Sequence, residues 1–207
     1  MPIIQTRGKK ILFVHIPKTG GASIEHFFRK SGKVSMFDGR VANPDFRCPP
    51  QHFHLALLKQ LVPFEMFDCT FTVVRNPFKR LASEYRMRNR HRFLNGQDIP
   101  DFEAWVADIF GKYAEDPWVA NNHIRPQTEF VDDTVRVFRF EDGLVPIVEN
   151  VCRDLSLEVP PDMTLPHRQK SVDIPVALSA RSTRMVLDFY EKDFRMFDYP
   201  AQPPGVL

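Results

Sequence analysis

The chain has 207 residues, 43% of them hydrophobic and 26% charged, with a net charge of +2, which suits one soluble globular domain with room for a sizeable core. So small a net charge argues against bulk nucleic-acid binding, and no apolar run approaches the ~18 residues of a membrane span. Cys48, Cys69 and Cys152 are scattered, form no metal-ligand pattern and fit a reducing compartment better than a disulfide scaffold. The N-terminus has no basic-then-apolar signal region, so a cytoplasmic chain is expected, a single domain over residues 1–207 with flexible ends at 1–10 and 200–207.

Residues 1–10 read as a polar lead-in. Ile11 to Ile16 is a β-branched-rich run suited to a buried parallel strand, and Pro17, having no N–H, ends its ladder. Gly20 and Gly21 allow the backbone to turn successive N–H groups toward one anion. Ser23 starts a helix running to about Lys30, with Ile24, Phe27 and Phe28 on its apolar face. The positive helix end and Lys18 face the same point. Any strand–turn–helix corner shares part of this, but a lysine, a threonine, two glycines and a serine within Lys18–Ser23 favour a phosphate or sulfate cradle.

Residues 33–50, with Gly39, Asn43-Pro44 and Pro49-Pro50, read as a long irregular connection. Leu55, Leu58 and Leu61 then recur at helical spacing, which puts His54 in the first turn of a short helix and His52 just before it. Surface or capping histidines and catalytic histidines are both open readings there. Asp68–Val74 is the second strand. Asn76 and Pro77 are N-cap and first-turn residues of the following helix, and Arg75 sits at the strand's carboxyl end, where ligands of open α/β sheets gather. Ser83 lies two turns along. Arg86, Arg88, Arg90 and Arg92 continue the helix as either a solvated face or an attractor for an anionic acceptor.

A helix is expected from Phe102 to about Tyr113, with Trp105, Val106 and Ile109 inward. The polar cluster His123, Arg125 and Gln127 is a surface loop or a wall of the cleft. Thr134–Phe140 alternates as a strand, and a helix follows from Leu144 to Leu155. The proline-rich loop 156–176 holds Arg168, Lys170 and Ser171, either ordinary polar loop residues or groups that close over a nucleotide. One last helix runs from Ser182 to Phe197, burying Met185, Phe189, Phe194 and Phe197.

Two strand–loop–helix anion sites, around Lys18 and around Arg75 and Ser83, call for a ligand charged at both ends. Pro17-Lys-Thr-Gly-Gly-Ala-Ser23 resembles the 5′-phosphosulfate loop of PAPS-dependent sulfotransferases, and Val74-Arg-Asn-Pro-Phe-Lys-Arg-Leu-Ala-Ser-Glu-Tyr85 resembles their 3′-phosphate motif. The likeness is to the carbohydrate sulfotransferases, including the heparan sulfate 2-O and 6-O enzymes. Gln51-His-Phe-His54 is similar to their catalytic-histidine region, and His123-Ile-Arg-Pro-Gln127 and Phe189-Tyr-Glu-Lys-Asp-Phe194 also resemble the family. Ala22 stands where many relatives have threonine.

The resemblance implies an α/β fold with a P-loop-like central parallel β-sheet flanked by helices. It implies in-line transfer of a sulfuryl group from PAPS to a carbohydrate hydroxyl, with PAP as product and no metal. Pro17, Lys18, Thr19, Gly20, Gly21, Ala22 and Ser23 would hold the 5′ end and Arg75 and Ser83 the 3′-phosphate. Lys18 would offset charge on the leaving oxygen. His54 is favoured as base, with His52 in support. His123, Arg125, Gln127 and Arg86 would face a glycan or other hydroxyl-bearing acceptor, anionic ones included. The rivals are a P-loop-type kinase or phosphotransferase, and a non-catalytic PAP- or glycan-binding module. The first lacks the Gly-x-x-x-x-Gly-Lys-Ser/Thr order here, and Arg75 stands where a magnesium-holding aspartate would be expected.

Overall fold

The computed structural model describes residues 2–35, 45–159, 165 and 172–205. A five-stranded sheet of order β3-β1-β2-β4-β5 is built from β1 (Ile3–Thr6), β2 (Lys9–Val14), β3 (Lys33–Ser35), β4 (Cys69–Val74) and β5 (Arg136–Arg139). β2, β4 and β5 run parallel, with Ile11 opposite Cys69 and Val14 opposite Thr72. β1 pairs antiparallel with both β2 and β3. The sheet is therefore mixed, with its parallel part where the two motifs require it.

Residues 1–10 are not a mere lead-in. Arg7 and Gly8 both have positive φ (45° and 79°), the backbone of a two-residue hairpin turn that matches strand twist. They fold Ile3–Thr6 onto β2 and bury Ile4 completely. Within the expected irregular connection, Lys33–Ser35 is the edge strand β3 and Pro50–His52 a 3-10 turn; residues 36–44 lie outside the described residues.

Pleating splits the core in two. Ile11 and Phe13 of β2 and Phe71 and Val73 of β4 pack with α1 (Gly21–Ser31) and α5 (Leu144–Asp154) through Ile24, Phe28, Ile147, Val148 and Val151. Leu12, Val14 and Val74 face the other way, toward α2 (Leu55–Leu61), α3 (Pro77–Leu94), α4 (Phe102–Glu115), α6 (Ala180–Phe189) and α7 (Glu191–Met196). Helices cover both faces, the layering expected around parallel strands. No helix among the described residues is long and apolar enough to cross a membrane.

The single last helix expected over 182–197 is two helices. Ser179 forms a capping box with Ser182, so α6 starts at Ala180. It ends at Tyr190, whose ring is buried and whose hydroxyl donates to the Ile124 carbonyl at 2.8 Å. The buried faces follow from that break: Val186, Tyr190, Phe194 and Phe197 are buried, while Met185 and Phe189 are only partly so. Phe71, fully buried and stacked on Phe13 at 4.9 Å, is the central test of the core. Phe71→Ala should cost ~3–5 kcal/mol in urea unfolding; a loss no larger than the ~0.5 kcal/mol of a surface substitution would contradict this packing.

Candidate active site

β2 and β4 are neighbours and parallel, so the turns leaving their carboxyl ends lie side by side. The first turn passes through Lys18 and Gly20, both in the left-handed region (φ 70° and 87°), and Gly20 is the N-cap of α1. A lysine accepts that backbone only at a cost, which marks the turn as constrained by its surroundings. No side chain caps the helix start; the Ser23 N–H donates to the Gly20 carbonyl at 3.0 Å, and an uncapped helix start of this kind suits an anion. Thr19 is fully buried and its hydroxyl donates to the Ile16 carbonyl at 2.8 Å. Its side chain therefore shapes the turn, and only its backbone faces the cradle. Ser23 is buried in the first turn of α1.

Gly21 is required by its neighbour. A Cβ there would lie 2.2 Å from His15 Nε2, because the His15 ring packs directly against the cradle. His15 is itself buried, with Nδ1 2.6 Å from Glu25 Oε1, and Gln51 Nε2 reaches both groups at 3.1 and 3.3 Å.

The second turn leaves β4 at Arg75. Asn76 caps α3 by accepting from the Lys79 N–H, with Pro77 in the first position, as the sequence predicts. Arg75 Nη1 donates to the Lys18 carbonyl at 3.1 Å, so the two turns are directly tied. Its guanidinium lies over the Phe140 ring at 4.4 Å, and its Nε is buried with no partner. Ser83 is half-buried one face along α3. Arg86 donates to the Ile174 carbonyl at 3.0 Å, and its charge acts on Arg75. Arg168, Lys170 and Ser171 lie outside the described residues.

His52 and His54 part company. The His52 ring stands edge-on between His15 (centroids 5.5 Å) and His123 (4.6 Å), and its Nδ1 is buried without a partner. His54, at the N-cap of α2, packs on Trp118 at 5.1 Å with Arg125 on the same ring. The residues expected to face the acceptor have different surroundings. Gln127 is fully buried; its Oε1 accepts from the Arg75 N–H at 2.9 Å and its Nε2 donates to the Arg75 carbonyl at 2.8 Å. Arg125 is buried and held by Asn122, Glu129 and the Pro117 carbonyl. Neither of these two side chains is presented to a ligand. His123 Nδ1 lies 2.6 Å from Glu84 Oε2.

Buried Arg80 joins the parts: its Nε donates to the Pro17 carbonyl at 3.0 Å and its Nη2 to the His123 carbonyl at 2.8 Å. Nothing in the sequence singles out Arg80, Glu84 or Glu25. A histidine inside the apolar run ending at Ile16 is the one signal that pointed to a buried titratable group.

Electrostatics follow from this burial. Burial lowers the Lys18 pKa, opposed by Glu84 and assisted by Arg75 and Arg88. Burial, then the His123 and His15 imidazoles, hold His52 well below the ordinary 6.5. Burial also lowers His54, with Arg125 adding to the effect. Glu84 is driven the other way: despite burial, the contacts from His123 and Arg88 hold it down at about 2, against 4.5 ordinarily. Its carboxylate is ionised and can only accept, so His123 Nδ1 carries the proton between them.

The two turns are thus tied on neighbouring parallel strands, with a lysine and imidazoles beside them. The chain belongs to the sulfotransferase family, whose sequence model matches residues 1–200. No curated protein and no solved structure matches it.

Two outcomes check this geometry. Gly21→Ala should lower stability by ~1–3 kcal/mol in chemical denaturation, because the new Cβ has to displace the His15 ring. Glu84→Gln tests the buried carboxylate. Its folded-state pKa is depressed, so its contribution is full above 4.5 and is lost as pH falls through about 2. The stability gap between wild type and variant should therefore be widest above 4.5 and close toward 2.

Proposed function

We propose that the protein transfers a sulfuryl group from PAPS to a hydroxyl of a carbohydrate acceptor. Membership of the sulfotransferase family supports sulfuryl transfer as such. The observation that carries the choice of donor is the hydrogen bond from Arg75 to the Lys18 carbonyl, which joins two anion-binding turns into a site for one ligand with charge at both ends. The residues fit such a nucleotide. Gly20 and Gly21 let the turn pack tightly against Leu144, Phe140 and His15, where a Cβ would clash, and Arg75 keeps a buried Nε without a partner, a donor available to a phosphate oxygen.

In this reading the Gly20–Ser23 turn and Lys18 hold the 5′ end, and Arg75 and Ser83 hold the 3′-phosphate. Arg86, whose charge acts on Arg75, belongs to the nucleotide end rather than to the acceptor. Lys18 offsets the negative charge that builds on the leaving oxygen. A sugar hydroxyl is a weak nucleophile at neutral pH, so its proton must go to a positioned base. His52 takes that role in place of His54. It packs between His15, which touches Gly21, and His123, which Arg80 ties to Pro17, whereas His54 lies against Trp118. A depressed pKa keeps His52 in its neutral, proton-accepting form below the usual range of histidine. Gln127 positions Arg75, and Arg125 braces the wall behind His54.

Steady-state rates of purified variants test the assignment, with labelled PAPS screened against polysaccharides of differing charge. Lys18→Ala and His52→Ala should each lose ~10²-fold or more in kcat, and His54→Ala clearly less. In wild type the acid limb of kcat/KM should lie below 6.5. Near-wild-type turnover in both Lys18→Ala and His52→Ala sinks the mechanism. Tight magnesium-dependent binding of ATP, with none of PAP, sinks the choice of donor.

A further inference from the structure

Five side chains form a row through the site: Glu25, His15, His52, His123 and Glu84. At one end His15 Nδ1 is 2.6 Å from Glu25, and at the other His123 Nδ1 is 2.6 Å from Glu84, both carboxylates being buried. Glu84 is held in turn by Arg88 Nε at 2.7 Å. A carboxylate hydrogen-bonded to one ring nitrogen fixes the plane of an imidazole and which nitrogen faces it. Each outer ring is therefore locked, and each meets His52 nearly at right angles, 89° for His15 and 80° for His123.

The backbone around His52 is fixed as well. Asn122 Nδ2 donates to the His52 carbonyl at 2.9 Å. Asn122 follows Ala120 and Asn121, and all three residues are left-handed (φ 66°, 56° and 58°). Successive left-handed residues that are not glycine persist only where their surroundings impose them. Here Arg88 Nη2 holds the Ala120 carbonyl at 2.9 Å and Arg125 Nε holds Asn122 Oδ1 at 2.9 Å. Arg88 thus serves both the turn and the Glu84–His123 pair.

We infer that His15 and His123 are positioning residues for His52: each is fixed by its own buried carboxylate, and together they clamp the His52 ring beside the Lys18 loop. The inference rests on the reading of His52 as the base and adds what sets its orientation. A general base must meet the hydroxyl proton at hydrogen-bond distance; the His52 Nδ1 is buried without a partner, and the ring is set by the imidazoles on either side together with its hydrogen bond to the Asn121 backbone. Glu84 makes no hydrogen bond to His52 among the described contacts; it reaches that ring through His123 and, by way of Arg88, through the Ala120–Asn122 turn.

Imidazole NMR of the isotopically labelled whole chain tests this. In wild type, His52 should show one set of ring signals from one tautomer. In Glu84→Gln, His52 signals should move and broaden together with those of His123, while those of His54, stacked on Trp118, stay in place. Turnover should fall about tenfold, short of the ~10²-fold expected for loss of the base itself, with affinity for PAP retained. If Glu84→Gln does not fold, Glu25→Gln delivers the same perturbation through His15. Movement of the His123 signals alone in a folded variant overturns the clamp, as do wild-type His52 signals reporting exchange between ring orientations. PAP titrated into the same samples keeps the two ideas apart. A chain that binds no PAP, yet whose His52 follows Glu84, loses the sulfotransfer reading and keeps the clamp. A chain that binds PAP while His52 ignores Glu84 keeps the reading and loses the clamp.

Discussion

An anion-binding turn aims its N–H groups at the ligand, which leaves its carbonyls to find donors elsewhere. At Lys18 that donor is the Arg75 guanidinium, and much of the site depends on this contact. It ties together two turns that leave different strands. Arg75 is in turn gripped by the Gln127 carboxamide through both its N–H and its carbonyl. Gln127 is held by buried Asp193 of α7, which accepts from the Gln127 and Thr128 N–H groups at 2.8 and 2.9 Å. A continuous line of hydrogen bonds therefore runs from the last helix to the first turn. It explains why the chain breaks its final helix at Tyr190 to bring Asp193 inside.

Charge is organised around the same contact. Arg80 is almost wholly buried, yet its described hydrogen bonds are to the Pro17 and His123 carbonyls and not to a carboxylate. With Lys18 and Arg75 it surrounds the cradle with positive charge in a poorly screened setting. Glu84 is the nearby buried counterweight, acting on both Lys18 and His123. Such an arrangement is costly without an anion, which fits the proposed occupancy by a nucleotide charged at both ends.

What the sequence made legible was local chemistry. The β-branched run before Pro17, the Gly20-Gly21 turn and the Asn76-Pro77 helix start each carry their own signal; the Asn76-Pro77 helix stands where it is expected, whereas the strand spans Lys9–Val14 and stops short of Pro17, and α1 starts at Gly21 instead of Ser23. The Arg7-Gly8 turn was equally local but was hidden by the polar residues around it. Contacts across the fold left no such trace. His52 and His54 are one residue apart and look alike in sequence, but only the side of the chain that meets His15 and His123 separates them. Gln127 reads as a polar loop residue until Arg75 is seen against it, and Glu84 looks like any helix-surface glutamate pairing with Arg88 four residues on. Long-range pairing, not composition, makes each of them part of the site.

The central claim is that one nucleotide is held at both ends by the two tied turns, and calorimetric comparison of PAP with 5′-AMP tests it most directly. The two ligands differ only in the 3′-phosphate. The account predicts that PAP binds the wild-type chain ~10–100-fold more tightly, the worth of charge-assisted hydrogen bonds of about 1.5–3 kcal/mol, and that Arg75→Ala removes most of that advantage, weakening 5′-AMP as well because the Lys18 carbonyl loses its donor. Equal affinity of the wild-type chain for PAP and 5′-AMP, or an advantage for PAP that survives loss of Arg75, would contradict it.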